Sequence, residues 1–247
     1  MTDSGADPPQ FRLQNAIEEH LLTAPIELAR DFHLKADPGG GHASKVTLLL
    51  EGGTTALAKY APPGDLNLLT QAKQEVGAWH VLVMLGWPDL GAATVLRRIE
   101  VPGQGEVSAA ILPVFSPDLW IPAPLPETLD QDQTFRAAIF DFLILNADRS
   151  GHNWLGLLAD LPPHRLKLYD HGHCFGLHVP QVSSTFVAHH TGQQIPEHHR
   201  EALKGLSDDR LGQLAPYLDT AAITSIGTRR DELLDCDLLP NVVTAAA

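Results

Sequence analysis

The sequence predicts an α+β chain in two lobes, with strands and one helix first and mostly helices after. Three observations carry this. Two strand-pair signals flank a helix-period segment in the first half. Residues 116–128 then hold four prolines and read as a connector. Beyond them, Thr134 to Ala147 has almost no polar face, the mark of a buried central helix. The expected boundaries are an amino-terminal lobe over 11–115, the connector over 116–128, and a carboxyl-terminal lobe over 129–247. At 247 residues and 44% hydrophobic content, the chain suits a single domain of two lobes with a real core.

Taken in order, the first ten residues read as a frayed tail, and 11–31 mix helical and loop character. A small-residue loop follows from Asp37 to Ser44. The run VTLLLEGGTTALAKY reads as two strands around Gly52-Gly53, a hairpin signal. Asp65 to Leu85 has helical period, with Val76, Trp79, His80, Val83 and Met84 on one broad face, and Gly86 and Pro88 stop it. Thr94–Ile99 and Val107–Phe115 form a second expected strand pair. After the buried helix, Trp154–Leu158 and Leu166–Tyr169 read as short strands around Leu161-Pro162-Pro163. The last fifty residues are helical in pattern, with capping signals at Ser207-Asp208 and Asp219-Thr220.

Charge narrows the function classes. Seventeen basic against thirty acidic side chains give a net charge of −13, which argues against a nucleic-acid binder. No run of eighteen apolar residues suggests a membrane span. The polar, acidic start MTDSGADPPQ is not a signal peptide, so a cytoplasmic protein is expected. In that setting Cys174 and Cys236 are expected to be two buried thiols rather than a bridge.

The chemistry concentrates between Leu145 and Phe175. Asp148 and Asn153 follow the buried helix, and Asp170 follows the next hairpin. Three oxygen-bearing side chains thus end rigid elements around a tight loop. Phosphoryl transfer from ATP needs such a set: a carboxylate to orient the attacking hydroxyl, and hard oxygen ligands to hold Mg²⁺ against the phosphates. Asp141, on the otherwise apolar helix, needs a partner if buried, and Arg149 or a nearby backbone group is expected to serve, in a structural role.

Asp148-x-x-x-x-Asn153 followed by Asp170-x-Gly172 resembles the catalytic and metal loops of the protein-kinase-like superfamily. The version Asn146-Ala147-Asp148-Arg149, Asn153-Trp154 and Tyr169-Asp170-His171-Gly172 looks closest to the phosphatidylinositol 3-/4-kinase-like and HipA-like branches. The His-Arg-Asp of ordinary protein kinases is absent. The resemblance implies a protein-kinase-like fold with ATP and Mg²⁺ as cofactors. It makes Asp148 the catalytic base, with Asn153 and Asp170 as metal ligands. It also asks for a strand lysine on the phosphates, positioned by a helix glutamate; Lys59 and Glu75 fill those roles. Gly40, Gly41 and Ser44 fall where a phosphate-facing loop is expected, although no Walker motif follows. Backbone groups near Val114 and Phe115 fall where adenine would bind.

The acceptor is open between a protein serine or threonine and a small hydroxylated metabolite. The residues after Asp170 lack the Ala-Pro-Glu segment of ordinary protein kinases. Two rival readings stand beside this one. One is a nucleotide-binding pseudokinase or interaction module. The other is a metal-dependent hydrolase built on the histidine-rich segment His171–His199, although neighbouring histidines on a helix are expected to point apart.

Overall fold

A computed structural model describes residues 9–31, 44–115, 118–149, 153–158, 163–176 and 182–240. The chain divides into two compact units, Met1–Ala72 with Ala93–Val114, and Lys73–Ala92 with Phe115–Ala247.

The first unit holds α1 (Pro9–Thr23) and five strands: β1 (Ile26–Asp31), β2 (Ser44–Leu50), β3 (Thr54–Ala61), β4 (Val95–Val101) and β5 (Gly105–Pro113). They form an antiparallel sheet in the order β1-β2-β3-β5-β4. Val46, Leu48 and Leu50 are buried at alternate positions of β2, as the two-residue period of a strand requires. Gly52 and Gly53 join β2 to β3 at φ of +84° and +81°, a left-handed pair that side chains disfavour. The sequence reading did not separate β1 from the preceding helix. Its segment IELARD carries charges, and an edge strand tolerates them because one flank faces water. Arg97 of β4 fastens α1 by donating to Leu21 O at 3.2 Å and Ala24 O at 2.8 Å, carbonyls that the helix end leaves unmatched.

Helix α2 (Leu66–Met84) starts where the Asp65 carboxylate accepts from Leu68 N at 3.0 Å. It stops before Gly86, at φ of +76°. From Gln74 to Leu82 every residue but His80 is buried, so the helix is more interior than its expected single face. Within the second unit, the His80 ring stacks on Tyr217 at 4.9 Å.

The second unit contains β6 (Trp120–Pro122), α3 (Gln131–Leu143), β7 (Trp154–Leu157), β8 (Leu166–Leu168), α4 (Thr185–His190), α5 (Glu197–Lys204), α6 (Asp208–Gly212) and α7 (Thr220–Asp235). The proline-rich stretch is thus more than a connector. It supplies β6, on the edge of the antiparallel sheet β6-β7-β8 where a missing proline N–H costs little, and a 3₁₀ turn at Pro126–Thr128. Helix α3 begins three residues before its apolar run, because Asp130 accepts from Gln133 N at 2.9 Å. It ends at Leu143, short of Ala147, and the chain turns through Leu145 at φ of +50°. Of the residues from Gln133 to Leu143, only Arg136 is not buried. Ser207 and Asp219 cap α6 and α7 as expected, accepting from Arg210 N and Ala222 N. Both cysteines are free, and Cys236 is exposed rather than buried, because it lies just past the end of α7. Among the described residues, no helix is long and apolar enough to cross a membrane.

Candidate active site

The second unit gathers the motif residues around one buried ion pair. Asp141, on the last turn of α3, and Arg149, past the helix end, both have side chains wholly removed from solvent. Arg149 Nε lies 3.2 and 3.1 Å from the two Asp141 carboxylate oxygens, and Nη2 lies 3.1 Å from Oδ1. Asn146 Nδ2 and Ser184 Oγ also donate to that carboxylate, at 2.9 and 2.7 Å. A buried carboxylate is tolerable only with such complete satisfaction.

The guanidinium has donors left, and they fix the two loops. Nη1 donates to Asn153 O at 2.6 Å and to Tyr169 O at 2.8 Å, while Nη2 donates to His171 Nδ1 at 2.9 Å. A guanidinium only donates, so His171 accepts at Nδ1 and carries its ring proton on Nε2. Arg149 is the residue after Asp148, and Tyr169 and His171 flank Asp170. One side chain therefore engages the backbone at Asn153 and just before Asp170, and the side chain of the residue just after it.

Strand pairing reinforces this placement. Trp154 of β7 pairs with Leu168 of β8, and Tyr169 N donates to Asn153 O at 3.3 Å. Asn153 and Asp170 consequently leave the same end of one hairpin. Asn153 Nδ2 donates to Asp148 O at 2.6 Å, with Asp148 Oδ2 at 3.4 Å, which turns its own Oδ1 the other way. Asp148 N donates to Asn146 Oδ1 at 3.0 Å, and the Asp148 side chain is exposed. The Asp148 carboxylate thus faces water on a held backbone, while Asn153 is buried.

Asp170 takes φ of +58°, and nearby Leu145 and Phe175 take +50° and +60°. Such left-handed conformations in non-glycine residues cost roughly 1–3 kcal/mol each and persist where surroundings over-determine them. Here the determinants are visible: Phe175 N donates to Ile144 O at 2.6 Å and Ala147 N to His173 O at 3.2 Å. Glu75, buried on α2, accepts from His171 N at 2.9 Å. The glutamate expected to position a lysine anchors the residue after Asp170, a bond that sequence spacing did not suggest. Cys174 is packed behind this loop, and burial pushes its thiol well up, so it is a filler rather than a nucleophile. The hydroxyls of Ser184 and Thr185 are engaged as well: Ser184 caps α4 at Val187 N, and Thr185 Oγ1 donates to Arg149 O at 3.1 Å.

The first unit carries the remaining expected residues. Lys59 lies on the central strand β3, opposite Lys45 of β2 and Ala110 of β5, and is buried. Ser44 opens β2 opposite Tyr60. Gly40 and Gly41 lie outside the described residues. At the end of β5, Val114 N donates to Thr55 O at 3.1 Å, so that N–H is spent within the sheet. Phe115, which belongs to the second unit, packs its ring edge-on to Trp120 at 5.4 Å.

Arg149→Met leaves the buried Asp141 carboxylate without its countercharge. The expected loss is about 3–5 kcal/mol in denaturant unfolding. A loss under about 1 kcal/mol, the value of a surface pair, would contradict the role given to this ion pair.

No family model matches the chain, and no curated protein matches it. Solved structures do. A Golgi casein kinase with Mn/ADP bound aligns at a TM-score of 0.59 and 14% identity, covering 93% of this chain and 76% of that one. Another crystal structure of the Golgi casein kinase aligns at 0.57 and 13%, with the same coverage. A Helicobacter pylori proinflammatory kinase, CtkA, aligns at 0.46 and 14%, over 89% of this chain and 94% of that one. At these identities the likeness is one of fold, and none of these three structures ties the chain to the phosphatidylinositol 3-/4-kinase-like or HipA-like branch. The strand-rich amino-terminal lobe and helical carboxyl-terminal lobe make a protein-kinase-like fold.

Proposed function

We propose that the chain is a kinase that transfers the terminal phosphoryl group of ATP to a hydroxyl acceptor, either a protein serine or threonine or a small metabolite. The observation that carries this reading is the grip of Arg149 on Asn153 O and Tyr169 O, which holds three oxygen-bearing side chains on one rigid frame. The kinases among the fold neighbours, one of them solved with Mn/ADP, support it.

The donor set suits a divalent cation of the hard class. Asn153 and Asp170 offer an amide and a carboxylate oxygen from one hairpin end, as Mg²⁺ sites in nucleotide enzymes do. When bound, Mg²⁺ neutralises charge on the phosphates and on the leaving diphosphate. Asp148 accepts a hydrogen bond from the acceptor hydroxyl and takes its proton as the oxygen attacks the γ-phosphorus. The new O–P bond forms as the bond from γ-phosphorus to the β,γ-bridging oxygen breaks, and ADP leaves with that electron pair. Lys59 is assigned to the phosphates, to which it would supply positive charge, on the strength of the kinase-like resemblance. Asn153, bound to Asp148 O, fixes the backbone from which the base extends. This sequence asks little covalent chemistry of the protein and much positioning, which the buried ion pair provides.

Two substitutions test the roles. Asp148→Asn removes the proton acceptor but keeps the side chain's shape. Transfer from labelled ATP, assayed with casein-type and small hydroxylated acceptors, is expected to fall at least about 10²-fold with ATP affinity near wild type. Full turnover would remove Asp148 from the mechanism. Lys59→Met is expected to raise the KM for ATP about tenfold or more, the value of one charge-assisted hydrogen bond. An unchanged KM would mean that another cation meets the phosphates.

A further inference from the structure

Away from the motif loops, the second unit brings three metal-ligating atoms together. Asp132 lies in the first turn of α3, and His198 and His199 lie in the first turn of α5. Asp132 Oδ1 is 3.0 Å from His198 Nε2 and 3.2 Å from His199 Nε2. One ligand atom from each residue falls within 4.8 Å of the other two. A tetrahedral ion with bonds of about 2.0–2.1 Å holds its ligands roughly 3.3–3.4 Å apart; the two separations from Asp132 Oδ1 are near that value, the 3.0 Å one to His198 Nε2 being a hydrogen bond that an ion would replace. Adjacent histidines were expected to point apart, yet both rings here reach the same oxygen.

The second observation concerns His199. It is 1% exposed; its Nδ1 has no hydrogen-bond partner, and its Nε2 meets Asp132 Oδ1 at 3.2 Å outside strict hydrogen-bond geometry. Buried polar atoms in folded proteins are nearly always satisfied, and an orphan asks for an explanation such as an ion. The ring is clamped, with Phe135 stacked at 5.8 Å and Trp87 edge-on at 5.5 Å.

Local charge also favours a cation. Arg136 Nε forms an ion pair with Asp132 Oδ2 at 3.0 Å, also outside strict hydrogen-bond geometry, and Oδ1 faces the histidines. The same guanidinium is claimed by Asp89, at 3.0 and 3.1 Å, so two carboxylates share one positive charge. An imidazole pair plus one carboxylate oxygen is a borderline donor set, suited to Zn²⁺ rather than Mg²⁺.

We propose that Asp132, His198 and His199 form a zinc-class divalent metal site that clips the first turn of α3 to the first turn of α5. Asp132 and His198 are exposed, so an ion reaches the site from solvent and its remaining position takes water. The site is separate from Asn153 and Asp170, and its metal is of a different class.

The test is calorimetric titration of the metal-stripped full chain with ZnCl₂, paired with Co²⁺ titration followed by visible absorption. Wild type should bind a tight equivalent whose Co²⁺ form has the intense bands of low, near-tetrahedral coordination. His199→Ala disturbs packing, so exposed His198→Ala and Asp132→Asn decide the question. Each should lose that equivalent, or bind it at least about tenfold more weakly, and lose the zinc-dependent rise in melting temperature. The proposal is overturned if wild type takes up no zinc. It is equally overturned if both variants keep the same stoichiometry and affinity, which would assign the uptake to other histidines.

Discussion

The Asp141–Arg149 ion pair is the constraint on which the second unit's loops depend. A carboxylate on an apolar helix would be prohibitively costly alone, and a guanidinium beside it equally so. Together they are tolerable only when every remaining donor and acceptor is used. Arg149 uses its spare donors on Asn153 O, Tyr169 O and His171 Nδ1, and Asp141 uses its spare lone pairs on Asn146 and Ser184. A buried pair of this kind adds little net stability compared with an apolar packing. What it supplies is a fixed geometry: the backbone beside Asp148, Asn153 and Asp170 cannot shift without exposing a charge.

That rigidity explains why backbone strain collects nearby. Leu145, Asp170 and Phe175 adopt left-handed conformations, and each sits in a loop already held by the ion pair, by Glu75 on His171 N, or by crossing backbone bonds. Phosphoryl transfer rewards such an arrangement, because orientation and preorganised charge account for most of its catalysis. The exposed Asp148 carboxylate on a held backbone and the buried Asn153 beside it are consistent with the proposed division of roles.

Much of this was legible in the sequence, for identifiable reasons. The run of apolar residues around Asp141 announced both a buried helix and a carboxylate in need of a partner, and Arg149 proved to be that partner. Gly52-Gly53 and Gly86 marked turns because a left-handed backbone demands them. The α+β class followed from the order of periodicities, and the kinase-like fold from the family resemblance that Asp148, Asn153 and Asp170 carry. Other features depend on contacts between distant segments, which local pattern does not encode. Strand β1 was lost because an edge strand with charges has no clear period. The proline-rich stretch was read as a connector because its short β6 gains meaning only beside β7. Glu75 on His171 N and the convergence of His198 and His199 on Asp132 are likewise products of tertiary packing. The finer branch within the kinase-like fold rested on a few motif residues, and at 13–14% identity to the fold neighbours no branch is distinguished.

The central claim is that the motif loops form a metal-dependent nucleotide site, and it can be tested without knowing the acceptor. Asparagine suits the left-handed backbone at position 170 as well as aspartate does, so Asp170→Asn removes charge without relieving strain. Calorimetric titration of wild type and Asp170→Asn with ATP, in Mg²⁺ and then in EDTA, is the direct measurement. The account predicts binding that requires Mg²⁺ in wild type and is at least about tenfold weaker in the variant, the loss expected of one charged ligand. Absence of ATP binding by folded wild-type protein, or equal Mg²⁺-dependent binding by Asp170→Asn, would contradict it.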